Sequence, residues 1–543
     1  MISLYFHTIR FLKFKQIYHR IWFRLIYPSI DYSPAANLRV IKKNFCIPVQ
    51  KKISLLNKDT FYFLNKSWSL LEIGWNGNDN TVPKLWRYNQ HYFDDLNAIE
   101  ASKRKLWHDQ LLMGWINENP VGKGVGWEPY PISLRIVNWI KWHLSGNVLS
   151  DRCIQSLALQ TRWLNKRIEK HILANHLFSN AKALIFSGLF FSSKESDIWL
   201  NKGLKIIADE LNEQVLSDGG NFERSPMYHS IFLEDILDLI NISQVYPKAI
   251  QERQVNEWIK ILNDMFKWLD TMTHPDGEIS FFNDSAMDIS PNLSELINYA
   301  QRLGTKYTTY KFNKVTNLAD TGYVRLTSHN AIAILDVAPI GPDYQPGHAH
   351  ADTLSFELSL FGQRLLVNGG TSEYGNSPVR QYERSTKAHN TVVINNENSS
   401  EIWNGFRVAR RAYPFDLKIE ELKNSANITC SHDGYKRLIG KPIHKRNWQF
   451  FDSALIIKDY IGGSFKSAHA YFHFHPSITI IKKQNRTLNL EMPRGQKIVL
   501  EIKIGNPIIE TSNYSLGFGK RIKTQCLNVS LDEEDGSCVQ ILW

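Results

Sequence analysis

The densest cluster of side chains able to hold an ion or move a proton is Gly347-His348-Ala349-His350-Ala351-Asp352. Two histidines two residues apart point to one face of an extended chain, so both rings can converge on one metal or one substrate. A lone histidine is usually structural; a His-x-His entering a strand favours function. His389 stands before a second apolar run, Val392-Val393. Zinc accepts imidazole and carboxylate in a tetrahedral shell, so His350 and His389 can supply two ligands. Asp352 can add a third, or orient a ring by hydrogen bonding.

Four further segments carry polar chemistry. Leu173-Ala174-Asn175-His176-Leu177 sits just before a helix, where Asn-His can also be a plain cap. Gly219 to His229 is a glycine-rich loop entering another helix, with Tyr228 in its first turn. Leu85 to Phe93 offers Arg87, Asn89 and His91. Trp127-Glu128-Pro129-Tyr130-Pro131 is followed by Arg135. Mixed rings, amides and cations suit a sugar carrying carboxylates. The competing reading is a packed aromatic core, the usual fate of a single tryptophan. Trp86 and Trp127 are the best cleft candidates.

These residues need a frame. Residues 85–315 read as a helical domain: apolar stripes recur at helical spacing, and Ser225-Pro226 reads as a cap with proline at the first helical position. Helices of similar length joined by short loops imply a solenoid or a closed α/α toroid. Residues 316–543 read as strands. Tyr323 to Leu326 pairs with Ala331 to Val337, and Leu354 to Leu360 with Arg364 to Asn368. Helices followed by strands argue for two segregated domains, the second an antiparallel β-sandwich or multi-sheet body. Residues 1–84 are a lead-in. No glycine-rich phosphate loop follows a strand, so neither a nucleotide nor another organic cofactor is expected.

Composition narrows the partner. The 543 residues have a formal net charge of +11, with 16 Trp, 22 Tyr and 28 Phe. Basic charge favours nucleic acid, a membrane surface or an acidic polymer. The five cysteines form no CxxC and are odd in number, which argues against a disulfide framework or a cysteine zinc site, with a Cys526–Cys538 bridge as the minor alternative. Residues 1–28 are basic and apolar, but His7, Arg10, Lys13 and Lys15 interrupt any signal-peptide core. Phe14, Ile17, Tyr18, Ile21, Trp22 and Leu25 form a helical stripe. It is expected to dock on the body of the protein, with peripheral membrane contact as the alternative. A cytoplasmic or membrane-peripheral location is expected ahead of a periplasmic one.

In order along the chain, WRYNQHYFDDL, WEPYPISLRIVNW, ANHLFSNAKAL, GGNFERSPMYH, GHAHADTLSFEL, LLVNGGTSEYG and KAHNTVV resemble the heparinase II/III family of polysaccharide lyases and related alginate lyases. The resemblance implies an incomplete α/α toroid, then an antiparallel β-sheet domain, with the active site between them. It implies β-elimination on a uronic-acid-containing polysaccharide. Asn175 and His348 would neutralise the uronate carboxylate. Tyr228 would act as acid, and as base for one epimer; His176 would be base for the other. Arg224 is the cation expected near Tyr228, and Arg87, Asn89, His91, Trp127, Glu128 and Arg135 are expected to bind substrate. The family's metal position maps onto His350, Asn368 and His389, where Asn368 replaces the usual aspartate. One structural zinc ion is therefore left open.

Other readings compete. A glycan-binding or surface-polysaccharide assembly protein on the same scaffold would bind without turnover. A hydrolase would need paired carboxylates, for which Glu128, Glu223 and Asp284 are singly placed. Nucleic-acid binding has no module to support it.

Overall fold

The computed structural model describes residues 2–77, 81–308 and 310–543. Helices run from Lys84–Gln90 to Leu293–Arg302, and sheets are built from Val315–Leu318 onward. The helix carrying Tyr228 shows how local sequence sets position. The Ser225 hydroxyl accepts the Tyr228 N–H at 3.2 Å, and Pro226 occupies the first turn, where no N–H is needed. The helix then runs Pro226–Val245, with Tyr228 at its open end.

Ala174–Phe190 is the central helix, buried on nearly every face from Leu177 onward. It packs tightly on Lys194–Gln214 because glycines lie at the crossing. A Cβ on Gly188 would sit 2.6 Å from the Leu200 nitrogen, and one on Gly203 would sit 2.7 Å from Ile185. Helices neighbouring in sequence pack side by side, as an incomplete α/α toroid does. Trp86, Trp115, Trp127, Trp139 and Trp163 all lie in its apolar core. Trp86 and Trp127 are 0% and 4% exposed, so the cleft role expected for them is overturned. Their indole N–H groups donate to the Lys66 and Asn119 carbonyls.

The second half is built on three large antiparallel sheets, with a small hairpin pairing Ile402–Trp403 with Arg407–Val408. Five strands between Val315 and Leu366 form a meander. Asn506–Gly517, Lys520–Ser530, Ala468–His473 and Val392–Ile394 form a four-stranded sheet. An eight-stranded sheet spans Pro414–Glu421 to Thr479–Gln484 in spatial order. Their inward faces share one apolar core. The strand expected over Leu354 to Leu360 opens at Phe356, so the His-x-His pair lies ahead of it rather than in it. A turn closed by Ser355 N–H on the Asp352 carbonyl intervenes, with Leu354 at φ 64°. Cys526 and Cys538 stand in different sheets and every cysteine is free, which excludes the bridge.

The amino-terminal helices, Ile2–Ile9 and Phe14–Leu25, correct another expectation. The apolar stripe of the second faces away from the body. Gln16, Lys13 and Phe23 on the opposite side make the contacts with the protein.

Candidate active site

Asn175, His176, Tyr228 and His348 come together where the helices meet the sheets. The Tyr228 and His348 rings lie 3.9 Å apart between centroids. The Asn175 backbone N–H donates to the Glu223 carboxylate. That carboxylate stands 3.7 Å from His348 Nε2 and within electrostatic reach of His176. The four are half-buried, whereas the groups behind them are buried.

Unusual backbone sets this arrangement. Leu173 and Ala174 take φ of 68° and 49° in succession, and Arg224 and Asn283 take 58° and 55°. Each is costly for a residue with a Cβ and persists only where its surroundings enforce it. Asn283 is locked on three sides. Its Oδ1 accepts the His350 N–H, its Nδ2 donates to the Arg224 carbonyl, and its own N–H donates to Asp352. The Phe281 to Ser285 loop thus ties the Tyr228 segment to the His348 segment.

At its centre is Asp284, wholly buried. One carboxylate oxygen meets His348 Nδ1 at 2.9 Å and the other meets His350 Nε2 at 2.9 Å. Arg380 grips both oxygens. Burial opposes ionisation, but Arg380 and the two imidazoles hold the carboxyl well below the usual range. The histidine pair therefore converges on one protein carboxylate. Because Asp284 accepts a hydrogen bond from Nδ1–H, His348 presents Nε2 to the cleft.

A second imidazole–carboxylate pair shares the Glu223 carboxylate as an electrostatic neighbour with the first. His176 Nδ1 lies 3.1 Å from Glu169, and its ring stacks on Tyr130 with centroids 4.4 Å apart. Burial lowers the His176 pKa, yet the carboxylates of Glu169, foremost, and of Glu223 and Glu128 together turn the net direction up. Burial raises the Glu223 pKa despite the two nearby imidazoles. Tyr228 donates to or accepts from the Tyr374 hydroxyl at 2.9 Å. Burial first, then Tyr374 and Asp284, raise its pKa well above that of a free phenol. At neutral pH the Tyr228 hydroxyl is therefore protonated.

The expected cation beside Tyr228 is not there. Arg224 donates to the Thr321 carbonyl at 2.9 Å, fastening the helical half to the sheets. Most of the expected substrate-binding residues are interior as well. Arg87, His91, Trp127 and Arg135 are at most 4% exposed. Arg135 donates to Gln160 and to the carbonyls of His91 and Gly126, and His91 accepts from Trp115. Arg87 holds the Ile73 and Gly74 carbonyls. These side chains satisfy buried backbone groups. Asn89 donates to the Leu85 carbonyl within its own helix. Glu128 alone of that group reaches the site's edge: it binds Tyr88 and Lys84, and its charge is felt at His176.

Below the cleft, His350, Asp352 and His389 place three possible ligand atoms within 4.8 Å of one another. The side chain of Asn368, the third position implied by the resemblance, is engaged in hydrogen bonds. Its Oδ1 accepts the Asn390 N–H and its Nδ2 donates to the Phe281 carbonyl, each at 3.0 Å. An aspartate there would face that carbonyl with a second oxygen, so the amide fits and Asp352 supplies the carboxylate.

Proton accounting says what the triad can hold. His389 Nδ1 faces the Ser385 carbonyl, an acceptor only, so Nδ1 carries the proton. His350 Nε2 faces the ionised Asp284, so Nε2 carries the proton. The two remaining nitrogens, His350 Nδ1 and His389 Nε2, then oppose lone pair to lone pair at 3.1 Å. A cation or an extra proton must lie between them. Burial pulls the His350 pKa down to about 4 and lowers that of His389, so neutral pH disfavours the proton. Two nitrogens on a tetrahedral zinc ion sit about 3.3 Å apart, so the donor set fits. The buried His432–His444 pair differs. Gly434 N–H donates to His432 Nδ1, His432 Nε2 faces His444 Nδ1 at 3.2 Å, and His444 Nε2 faces Asp459. One unbroken donor chain satisfies that pair without an ion.

Sequence reasoning missed Glu169, Arg380, Tyr374 and Tyr130, and named Glu223 and Asp284 only as hydrolase acids. Tyr374 lies inside the quoted LLVNGGTSEYG segment. Tyr130 lies inside the quoted WEPYPISLRIVNW segment, whereas Glu169, in a loop, and Arg380, in the short helix Pro378–Glu383, had no spacing signal.

Comparison with known proteins agrees with the two-part fold. The Heparinase II/III N-terminus model matches residues 69–310 and the Heparinase II/III-like, C-terminal model matches residues 313–542. A heparin-sulfate lyase of Bacteroides stercoris is 23% identical over 348 residues, 60% of this chain and 50% of that protein. A heparin-sulfate lyase of Pedobacter heparinus is 24% identical over 251 residues, 41% and 36% of the two chains. The matched part spans half or less of these curated relatives. In fold, the crystal structure of heparinase III superposes with a TM-score of 0.70 at 17% identity, covering 86% of this chain and 79% of that one. The heparan sulfate lyase HepC of Pedobacter heparinus gives 0.62 at 16% identity in its mutant form, covering 97% and 87%. With both halves matched in order and the toroid-plus-sheet architecture shared, the chain belongs to the heparinase II/III family.

Proposed function

We propose that the chain is a polysaccharide lyase that cleaves an anionic, uronic-acid-containing glycan by β-elimination. The observation that carries this reading is a protonated Tyr228 whose ring packs on a carboxylate-oriented His348, with a second imidazole, His176, paired with Glu169 and sharing Glu223 as a neighbour. A hydrolase needs two carboxyl groups across one bond. Here the buried carboxylates are engaged with imidazole, guanidinium or backbone.

The chemistry follows from the geometry. The Asn175 amide and His348, protonated on both nitrogens so that Nδ1–H donates to Asp284 and Nε2–H to the substrate, bind the uronate carboxylate, so negative charge developing on it as an enolate is stabilised. His176 takes the C5 proton. The C4–O bond breaks as the C4–C5 double bond forms, and Tyr228 gives its proton to the departing glycosidic oxygen. For the opposite epimer Tyr228 would have to give up its proton first, and the groups around it oppose that. The site as built favours His176 as base. Uronate polymers incubated with the protein should yield unsaturated ends absorbing near the ultraviolet edge. Folded protein that binds such polymers without forming product would reduce this reading to glycan binding.

His176 must be neutral to accept a proton. Removing the Glu169 charge lowers its pKa, so Glu169→Gln should move the acidic limb of the kcat/KM profile to lower pH. The looser ring should also reduce the plateau about tenfold or more. An unmoved limb would show that His176 is not the titrating base.

We propose further that His350, Asp352 and His389 hold a structural zinc ion, which would fix the segment presenting His348. Elemental analysis should find about one zinc per chain. His389→Ala should remove it and lower the melting temperature by several degrees. Metal-free protein whose melting is indifferent to added zinc and to chelator would overturn this.

A further inference from the structure

The first thirty residues contain Arg10, Lys13, Lys15, Arg20 and Arg24, and no acid. Their two helices show an inverted polarity. On the second, Phe14, Ile17, Tyr18, Ile21, Trp22 and Leu25 are 38% to 81% exposed. On the first, Ile2, Phe6 and Ile9 are 50% to 88% exposed. An apolar helical stripe ordinarily turns toward the core. Here the polar side does so. Gln16 is buried and donates to the Tyr344 carbonyl, and Lys13 pairs with Glu213 while lying 3.6 Å over the Tyr344 ring. Arg167 donates to the Phe23 and Ile26 carbonyls and lies 3.6 Å from the Phe23 ring.

The segment is fastened to both halves of the protein. The second helix grips the helical half through Glu213 and Arg167. The first grips the sheets: Trp403 donates to the Thr8 hydroxyl and its ring meets Tyr5 at 4.8 Å. Such anchoring holds the stripe outward, away from the core.

We propose that this helix pair seats the chain on an anionic lipid surface. Aliphatic and indole side chains on one stripe, exposed Arg10, Lys15, Arg20 and Arg24 around it, and no acid among them complement a bilayer with negatively charged headgroups. Trp22 and Tyr18 are the ring types that settle at the headgroup level. Among the described residues no helix is long and apolar enough to cross a membrane, so the pair lies in the interface plane. The same segment braces the rim of the candidate active site. Tyr344 precedes His348 by four residues, and Phe406, in the hairpin that holds Tyr5, has its ring 6.1 Å from the His348 ring. The docking role stands independently of the lyase reading.

Flotation of the full chain with vesicles tests it. The protein should float with phosphatidylcholine vesicles containing about one-third phosphatidylglycerol, stay down with phosphatidylcholine alone, and release at about 0.5 M salt. Phe14→Ser with Trp22→Ser and Leu25→Ser should weaken binding at least about tenfold, as should Lys15→Glu with Arg24→Glu. These side chains are exposed, so melting should be unchanged. Wild-type protein that ignores the anionic vesicles, or variants that float equally well, would overturn the proposal. So would a lipid-free dimer that the triple substitution dissolves, which would assign the stripe to a second copy of the chain.

Discussion

Tyr228→Phe is expected to lower kcat on a uronate polymer by about 10² to 10⁴ while changing glycan affinity little. The substitution keeps the ring that stacks on His348 and removes the one hydroxyl placed to protonate the leaving oxygen. Tyr374 loses a partner at 2.9 Å but is itself only half-buried, so water can replace it. The melting temperature should stay within a few degrees. The comparison to make is Tyr374→Phe, which leaves the Tyr228 proton in place and should cost far less. Equal losses in the two variants would mean that the pair acts as a unit and that Tyr228 alone is not the acid.

Asp284→Asn should produce the largest loss of stability. The carboxylate is wholly buried and carries Arg380, His348 and His350 together. Its removal leaves the Arg380 guanidinium buried beside a neutral amide. Breaking a buried pair from one side costs about 3–5 kcal/mol. Both protein stability and turnover should therefore fall. A double variant, Asp284→Asn with Arg380→Met, separates the two effects. Taking away the stranded charge should restore part of the melting temperature. Activity should stay absent, because His348 no longer has a carboxylate on Nδ1 to hold its doubly protonated ring. A stable but inactive double variant would identify Asp284 as a positioning residue. A single variant that melts like wild type would show that the buried pair contributes little.

The sequence made the frame legible wherever the signal was local. Ser225-Pro226 marked the start of its helix, and Tyr228 followed in the first turn. The change from helices to short strands near residue 315 located the seam where His348 stands. Signals that depend on three dimensions were misread. Arg135 and His91 look like ligands in one dimension, yet they satisfy carbonyls inside an aromatic core. Trp86 and Trp127 are core for the same reason. Arg224 seemed close to Tyr228 by sequence distance, but its φ of 58° and its bond to Thr321 take it elsewhere. Asn368 looked like a failed zinc ligand. It is a correctly matched amide, and Asp352 stands with the two histidines. Asp284, which organises both His348 and His350, lies more than sixty residues before them and shares no spacing pattern with them.

The central claim is elimination, and the origin of oxygen in the products tests it most directly. Digestion of a uronate polymer in ¹⁸O-labelled water, followed by mass spectrometry, distinguishes the two ways of breaking the bond. The account predicts fragments that carry no solvent oxygen and end in an unsaturated uronate, because Tyr228 supplies only a proton. Saturated fragments that gain one ¹⁸O per bond cleaved, at the new reducing end, would mean hydrolysis and would contradict it.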